Sequence, residues 1–318
     1  MRVIFMGTSQ LSVTILEALV GAGYEIVQVY TRADKPAGRG RQPTPPPVKE
    51  AALRLGLPIY QPTTLRTPAE VERLQQLRPD LIVLAAYGRL IPPEILAIPP
   101  LACLNVHPSL LPRYRGPSPI TAPILAGDKE TGVTIFVLDE NMDTGPILAQ
   151  RSIPISPEDT GESLSDKLAR LGAQLLLDTI PLWAKGEIRP QPQDHSQATY
   201  THILKKEEGK LDWSQPAVDL WRQVRAFQPW PGAYTTCKGQ ILKVLACQPI
   251  LSPVEGEQGS VLLVPDPKDA GKRLPAVQTG QGLLVLRRLQ LEGRRPLEAH
   301  VFLQGVRDFV GSRLDDPS

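Results

Sequence analysis

Hydrophobic residues in the first part of the chain alternate between short continuous runs and helical spacing. Largely apolar runs cover residues 2–6, 25–30 and 80–86, and each has the length of a strand. Between the first two runs, apolar residues from Leu11 to Leu19 recur at the spacing of one helix face. Because strands of this kind alternate with helices, the pattern predicts an α/β domain with a Rossmann-like, mostly parallel sheet.

The same alternation continues to about residue 186. The pattern predicts further strands and helices, with strands at residues 101–104, 132–138 and 147–155 and helices at residues 49–55, 68–77, 117–126 and 164–183. Residues 139–145 are rich in Asp, Asn and Gly, which indicates a turn between the last two strands.

A different pattern begins after residue 204. One helix is predicted at residues 213–227, and five short strands follow it at residues 233–237, 240–250, 259–264, 274–279 and 282–291. Strands of this number and spacing favour a small OB-like β-barrel. Residues 187–198 are poor in apolar side chains, which is typical of a linker. The expected organisation is a first domain at residues 1–186, a linker at 187–204 and a second domain at 205–318.

Composition adds limits on location and partners. The chain has 318 residues, enough for two ordinary domains, and its formal net charge of +2 gives no whole-protein case for nucleic acid binding. Three cysteines suggest neither a disulfide framework nor a zinc site, and they fit a reducing cytoplasm. No apolar run approaches the ~18 residues of a membrane span, and no signal peptide is evident. We therefore expect a cytoplasmic protein without membrane contact, and nothing demands more than a monomer.

The opening strand, turn and helix are also the start of dinucleotide-binding folds, but the glycines argue against that function. The motif G-x-G-x-x-G needs three glycines, whereas this turn holds only Gly7, and no acid closes the second strand to hold a ribose. Walker, nucleophile-elbow and metal-binding motifs do not occur either. The sequence therefore gives no support for ATP, covalent-nucleophile or metal chemistry, and we expect no metal cofactor.

Residues 31–47 combine positive charge with glycine and proline. Arg32, Lys35, Arg39 and Arg41 stand against a single acidic residue. No apolar residue repeats there, so an irregular loop is expected. One interpretation is an ordinary solvated loop. The other is a finger that binds phosphates, because Lys and Arg on a mobile loop suit a nucleic acid backbone.

The strongest indication of chemistry is an amide and an imidazole at the end of a predicted strand. Asn105 and His107 are two residues apart, so their side chains point to the same side of an extended chain. Pro108 reinforces this geometry, because a residue before proline is pushed out of the helical region. In α/β proteins, polar chemistry lies beyond the carboxyl ends of the strands. A capping Asn beside a surface His is the structural alternative.

A carboxylate partner for His107 is expected in the turn at residues 139–145. Asp139, Glu140 and Asp143 are the candidates, and Asp143 is favoured because Thr-Gly follows it in a turn whose amides can hold a carboxylate. A plain turn aspartate is the alternative. An amide, an imidazole and a carboxylate suit acyl transfer to an amine without a covalent intermediate.

The residues just described resemble a known signature. Asn-Val-His-Pro-Ser-Leu-Leu-Pro-Arg-Tyr-Arg-Gly at residues 105–116, with Asp143 in Met-Asp-Thr-Gly, is similar to the signature of the 10-formyltetrahydrofolate-dependent formyltransferases. Two further segments look like those of members that act on initiator Met-tRNA. They are the basic loop at residues 35–41 and Val-Arg-Ala-Phe-Gln-Pro-Trp-Pro-Gly-Ala-Tyr-Thr at residues 224–235. The resemblance covers essentially the whole chain, although residues 201–204 match less closely.

The resemblance implies roles for particular residues. Asn105 and His107 would stabilise an oxyanion, and Asp143 would orient His107 and help deprotonate the attacking α-amine of methionine on initiator Met-tRNA. The formyl donor, 10-formyltetrahydrofolate, would be bound by the loop residues Ser109, Leu110, Leu111 and Pro112. The tRNA would be bound by Lys35, Arg39 and Arg41, with further contacts from the second domain.

Two other functions stay open. One is a formyltransferase that acts on a nucleotide-sugar amine, which would not need the basic loop. The other is a tRNA- or folate-binding protein without catalysis. The intact set of Asn105, His107 and Asp143 argues against mere binding, because binding does not need proton-transfer groups.

Overall fold

The structure is a computed structural model that describes residues 1–37, 42–251 and 256–315. The described chain forms two compact units. The first consists of Met1–Pro119, Glu130–Pro154 and Leu164–His202, and the second of Ile120–Lys129, Ile155–Ser163 and the chain from Ile203 onward. The domain limits expected from composition stay a prediction.

The strands, numbered along the chain, are β1 (Arg2–Gly7), β2 (Glu25–Tyr30), β3 (Lys35–Ala37), β4 (Gln42–Thr44), β5 (Ile59–Tyr60), β6 (Leu81–Ala85), β7 (Cys103–His107), β8 (Glu130–Val137), β9 (Ile147–Pro154), β10 (Ala233–Cys237), β11 (Gln240–Ile250), β12 (Val261–Asp266), β13 (Asp269–Gln278), β14 (Leu283–Leu291) and β15 (Leu297–Glu298). The helices are α1 (Gln10–Gly21), α2 (Pro47–Arg54), α3 (Pro68–Gln76), α4 (Pro93–Leu96), α5 (Thr121–Ala126), α6 (Gly161–Ala184), α7 (Ala217–Ala226) and α8 (Ala299–Gly305). In the part of the chain that the structure describes, no helix is both long and apolar enough to cross a membrane.

The first unit is organised around a sheet with the strand order β5-β2-β1-β6-β7-β8-β9. The first five strands in this order, from β5 across to β7, pair in parallel. Strands β8 and β9 extend the sheet in antiparallel pairs. Strand β6 is buried at every position, and α1 packs its apolar stripe inward. A strand that is apolar on both faces is typical of the centre of a parallel sheet, where both faces are covered. The predicted Rossmann-like, mostly parallel sheet is therefore confirmed.

The second unit contains an antiparallel sheet with the order β10-β11-β14-β13-β12, and β15 pairs with β14. Helix α7 packs Leu220 and Val224 into the core of this unit together with Val244 and Leu286. This confirms the predicted β-rich second domain. Helix α8 was not predicted, and it adds Phe302 to the same core.

Proline explains why two helices begin later than predicted. Helix α5 begins at Thr121 rather than 117, since Pro117 and Pro119 disfavour helical backbone in the residues before them. Helix α7 begins at Ala217 rather than 213, directly after Pro216. Trp213 instead lies buried in the core, where its indole N–H donates to Thr235 Oγ1 over 3.1 Å.

The segment at residues 31–47 is not entirely irregular, and in this respect the prediction is wrong. Strands β3 and β4 pair in an antiparallel hairpin. Asp34 anchors its base, because its carboxylate accepts from Lys49 Nζ at 2.7 and 2.8 Å and from Gln61 Nε2 at 2.9 Å. The hydrogen bonds from Gln61 and Lys49 lower the pKa of Asp34 below its usual value. Periodicity gave no signal here, because each strand has only three residues.

Candidate active site

Strand β7 carries the amide and imidazole that the sequence singled out. Asn105 pairs with Leu84 of β6 and Phe136 of β8, and His107 pairs with Thr134 of β8. Because the two residues are two positions apart on a regular strand, they belong to the same face. His107 is 4% exposed and Asn105 is half-buried. Among the described residues, none forms a hydrogen bond with the side-chain amide of Asn105.

Both ring nitrogens of His107 face oxygen atoms. Nε2 lies 3.0 Å from the main-chain oxygen of Tyr114, and because a carbonyl can only accept, we assign a proton to Nε2. Nδ1 lies 3.7 Å from Asp143 Oδ2, which is an electrostatic contact but too long for a hydrogen bond. The structure thus brings His107 and Asp143 together, as the sequence led us to expect.

Asp143 differs from the other two acidic candidates in its surroundings. Its Oδ2 accepts from the Gly116 N–H over 2.7 Å, and its backbone is left-handed, with φ of 56°. The Asp139 carboxylate is occupied within the turn by Thr144 Oγ1, at 2.7 Å from both oxygens. Glu140 is exposed. Left-handed backbone is uncommon outside glycine, and Asp is among the residues that tolerate it. The turn therefore places the Asp143 carboxylate next to His107.

Two glycines allow this turn to approach its neighbours. A β-carbon on Gly145 would overlap the main-chain oxygen of Val137, so no larger residue fits two positions after Asp143. Gly116 has φ of 106°, a conformation that L side chains rarely adopt. The glycines in the Met-Asp-Thr-Gly and Arg-Tyr-Arg-Gly segments are thus explained by backbone geometry.

The loop after His107 is held by side chains of the neighbouring strands. The residues expected to bind folate are Ser109, Leu110, Leu111 and Pro112. Thr134 Oγ1 donates to the Ser109 carbonyl over 2.7 Å and accepts from the Leu111 N–H over 3.1 Å, while Gln150 Nε2 donates to the Leu111 carbonyl over 2.7 Å. The Ser109 side chain is fully buried and donates to the Arg113 carbonyl. Ser109 thus shapes the loop, and the folate-binding role of the four residues stays a prediction.

Two potentially reactive groups, one on β7 and one just after β6, are held in their neutral forms. Burial raises the pKa of the Cys103 thiol, two residues before Asn105, to about 12. Burial also raises the pKa of Tyr87, which follows β6, to about 12. A thiol needs its thiolate form to act as a nucleophile. Cys103 is therefore suited to packing rather than to covalent catalysis.

The three residues expected to bind tRNA are only partly described. Lys35 is exposed on β3, while Arg39 and Arg41 lie outside the described residues. Their proposed contact with tRNA stays a prediction.

Comparisons with known proteins assign the family. The family model "Formyl transferase" matches residues 1–180, and "Formyl transferase, C-terminal domain" matches residues 203–307. Methionyl-tRNA formyltransferase of Roseiflexus sp. (strain RS-1) is 48% identical over 100% of this chain and 96% of its own length. That of Chloroflexus aurantiacus (strain ATCC 29366 / DSM 635 / J-10-fl) is 49% identical over 96% of this chain and 97% of its own.

The chain belongs to the methionyl-tRNA formyltransferase family.

Solved structures of more distant proteins share the fold of this family member. HypX from Aquifex aeolicus in complex with tetrahydrofolic acid has a TM-score of 0.65 at 20% identity. The match covers 98% of this chain but 48% of HypX, so this chain spans about half the length of HypX. WlaRD, a sugar 3N-formyl transferase, has a TM-score of 0.64 at 17% identity, with 93% of this chain and 99% of WlaRD covered.

The structure of this methionyl-tRNA formyltransferase family member also reveals residues that sequence reasoning missed. Arg115 and Gln193 are 1% and 6% exposed and hydrogen-bond to each other beside the Asp143 turn. The only signal for Arg115 was its place in the Arg-Tyr-Arg-Gly segment. Gln193 had no signal, since it lies in a stretch whose composition indicates a linker.

Proposed function

We propose that this protein transfers the formyl group of 10-formyltetrahydrofolate to the α-amino group of methionine on initiator tRNA, as a cytoplasmic monomer. The observation that carries the proposal is the similarity, at 48–49% identity over nearly the full length of both chains, to relatives called methionyl-tRNA formyltransferase. The geometry of His107 and Asp143 adds a chemical reason. Acyl transfer to an amine is favoured by an imidazole that transfers protons and by a carboxylate that stabilises its charged form.

In the proposed reaction the methionine α-amine attacks the formyl carbon of the folate donor. A new carbon–nitrogen bond forms, and the carbonyl oxygen becomes an oxyanion. Asn105 donates a hydrogen bond to that oxyanion, and the His107 imidazolium stabilises it by charge. Asp143 holds the positive charge on His107 and accepts the amine proton directly or through a water molecule. The bond to folate N10 then breaks, and N10 receives a proton that His107 supplies. The proton taken up by Asp143 then passes to His107, which restores both groups.

The folate donor is expected to lie along the loop that follows His107. Thr134 and Gln150 fix the path of this loop, so it forms a rigid wall beside the catalytic residues. In this proposal the loop offers the donor its main chain and the apolar edges of Leu110 and Pro112, while Ser109 and Leu111 keep it in shape. A rigid wall is favourable because it holds the formyl carbon without ordering the loop at each turnover.

The acceptor assay tests the proposal. Formyl transfer from 10-formyltetrahydrofolate is measured with charged initiator Met-tRNA, elongator Met-tRNA and a nucleotide-sugar amine. We expect rapid formylation of the initiator alone. Formylation of the sugar amine alone would keep the catalytic assignment but contradict the tRNA proposal. Binding of tRNA or folate without formylation of any acceptor would contradict the catalytic proposal.

The basic segment supplies a second prediction. Replacing Lys35, Arg39 and Arg41 together with alanine is expected to raise the KM for initiator tRNA at least about 10-fold, because each cation neutralises a phosphate and releases counterions. The plot of log(kcat/KM) against log(salt concentration) should become less steep, by about one unit for each phosphate that the variant no longer neutralises.

The matched control for this prediction is Lys185→Ala, which removes an exposed cation just after α6. Its salt dependence should equal that of the wild type. Equal slopes for the triple variant and the control would contradict the role of the basic segment in binding tRNA.

A further inference from the structure

Arg115 is a buried cation whose described side-chain hydrogen-bond partners carry no negative charge. It is 1% exposed, and its Nε and Nη2 donate to Gln193 Oε1 over 3.2 and 2.7 Å. Nη1 donates to Tyr200 OH and Nη2 to His195 Nδ1, each over 3.1 Å. A buried charge without a counter-ion is costly to keep, so it calls for an explanation other than stability.

Gln193 connects this cation to the turn that carries Asp143. Its Nε2 donates to the main-chain oxygen of Asp143 over 2.9 Å and to that of Gly145 over 2.8 Å. The amide has one possible orientation, because a flip would set Oε1 against two carbonyls and Nε2 against the guanidinium. The single amide therefore joins Arg115 to both ends of the Asp143-Thr144-Gly145 turn.

The main chain fixes the other side of the same arrangement. The Arg115 N–H donates to the Thr199 carbonyl over 2.9 Å, and the Thr201 N–H donates to the Arg115 carbonyl over 2.8 Å. We call residues 193–201 the strap, since they hold Arg115 through both backbone and side-chain contacts. Gly116, which follows Arg115 in the chain, donates its N–H to Asp143 Oδ2. Asp143 is thus held by its carboxylate and by its carbonyl from one connected network.

We infer that Arg115 and Gln193 are positioning residues that keep Asp143 in its left-handed conformation, with the carboxylate facing His107 Nδ1. Without the Gln193 bonds, the turn could relax to a more favourable backbone conformation and withdraw the carboxylate. The inference rests on the proposed catalytic role of Asp143. It assigns a role in this reaction to a segment that composition marks as a linker.

Two substitutions of Gln193 distinguish the hydrogen bonds of its Oε1 from those of its Nε2. Gln193→Glu keeps oxygen atoms for Arg115 but sets an oxygen against the carbonyls of Asp143 and Gly145. Gln193→Met removes both sets of bonds at nearly constant volume. We expect both to lower kcat at least about 10-fold while KM for either substrate changes less than about threefold. The melting temperature of Gln193→Glu should equal that of the wild type, because an ion pair with Arg115 replaces the lost hydrogen bonds.

The matched control is Gln191→Glu, since the Gln191 side chain is exposed and bonds only to the Arg189 carbonyl among the described residues. Rates are expressed per folded protein, as measured by circular dichroism, so that unfolding does not imitate a catalytic loss. A kcat for both Gln193 variants that equals the control would overturn the inference.

A double-mutant cycle distinguishes positioning from general stability. Gln193→Met is combined with Asp143→Asn, and single-turnover rates are measured. If Gln193 acts through Asp143, its substitution should cost no more than about threefold once Asp143 is replaced. Independent, additive losses would overturn the inference while leaving the catalytic role of Asp143 intact. Full activity of Asp143→Asn alone would instead contradict the proposed catalytic role of Asp143.

Discussion

Replacing His107 with asparagine is expected to lower kcat for formyl transfer by about 10³-fold. His107 is the only group in the proposed set that can both carry positive charge beside the oxyanion and supply a proton to folate N10. A single group that transfers a proton or stabilises an oxyanion is commonly worth about 10²–10⁴ in rate. Asparagine keeps a donor in nearly the same volume, so the buried position should not collapse. Affinity for initiator tRNA, measured by equilibrium binding, should stay within a few-fold.

A matched substitution of another histidine provides the control. His300 is exposed on α8 in the second unit, and His300→Asn should leave kcat unchanged. Joint loss of activity, tRNA binding and melting temperature in His107→Asn would indicate a role in folding. Activity near that of the wild type would remove His107 from the mechanism.

Replacing Asp143 with asparagine is expected to lower kcat by about 10²–10³-fold. The change removes the negative charge that lies 3.7 Å from His107 Nδ1 and the acceptor for the amine proton. Its side-chain oxygen can still accept from the Gly116 N–H, so the turn should keep its shape. The loss should therefore appear in single-turnover rates, with little change in melting temperature.

Glu140→Gln is the control for this prediction, because it removes the same charge from an exposed position of the same turn. Its rate should match that of the wild type. Equal losses in the two variants would mean that the net charge of the turn matters rather than the contact with His107.

The placement of Asn105 and His107 could be predicted because it depends on local rules. An extended chain alternates its side chains, so Asn105 and His107 had to share a face once β7 was recognised as a strand. Asp143 was favoured over Asp139 and Glu140 by turn chemistry alone. The structure adds the reason, which is that Thr144 occupies the Asp139 carboxylate.

The supporting residues were not predictable, since they depend on contacts between distant parts of the chain. Arg115 and Gln193 are 78 residues apart, and a side-chain amide that bonds to carbonyls leaves no periodic pattern. The pairing of β3 with β4 was not predicted either, and here the reason is proline. Pro36 faces Pro43 across it, and neither can donate to a ladder, so composition alone suggested a loop.

The strap has a consequence for how domains of this kind can be exchanged. The first unit extends to His202 and includes Gln193, Thr199 and Thr201, although the sequence pattern placed the end of the first domain at residue 186. A chimaera joined at residue 186 would take these residues from the donor of the second domain and could leave Arg115 facing foreign side chains. One joined after residue 202 would inherit the network whole, so the second domain could be exchanged without disturbing the Asp143 carboxylate.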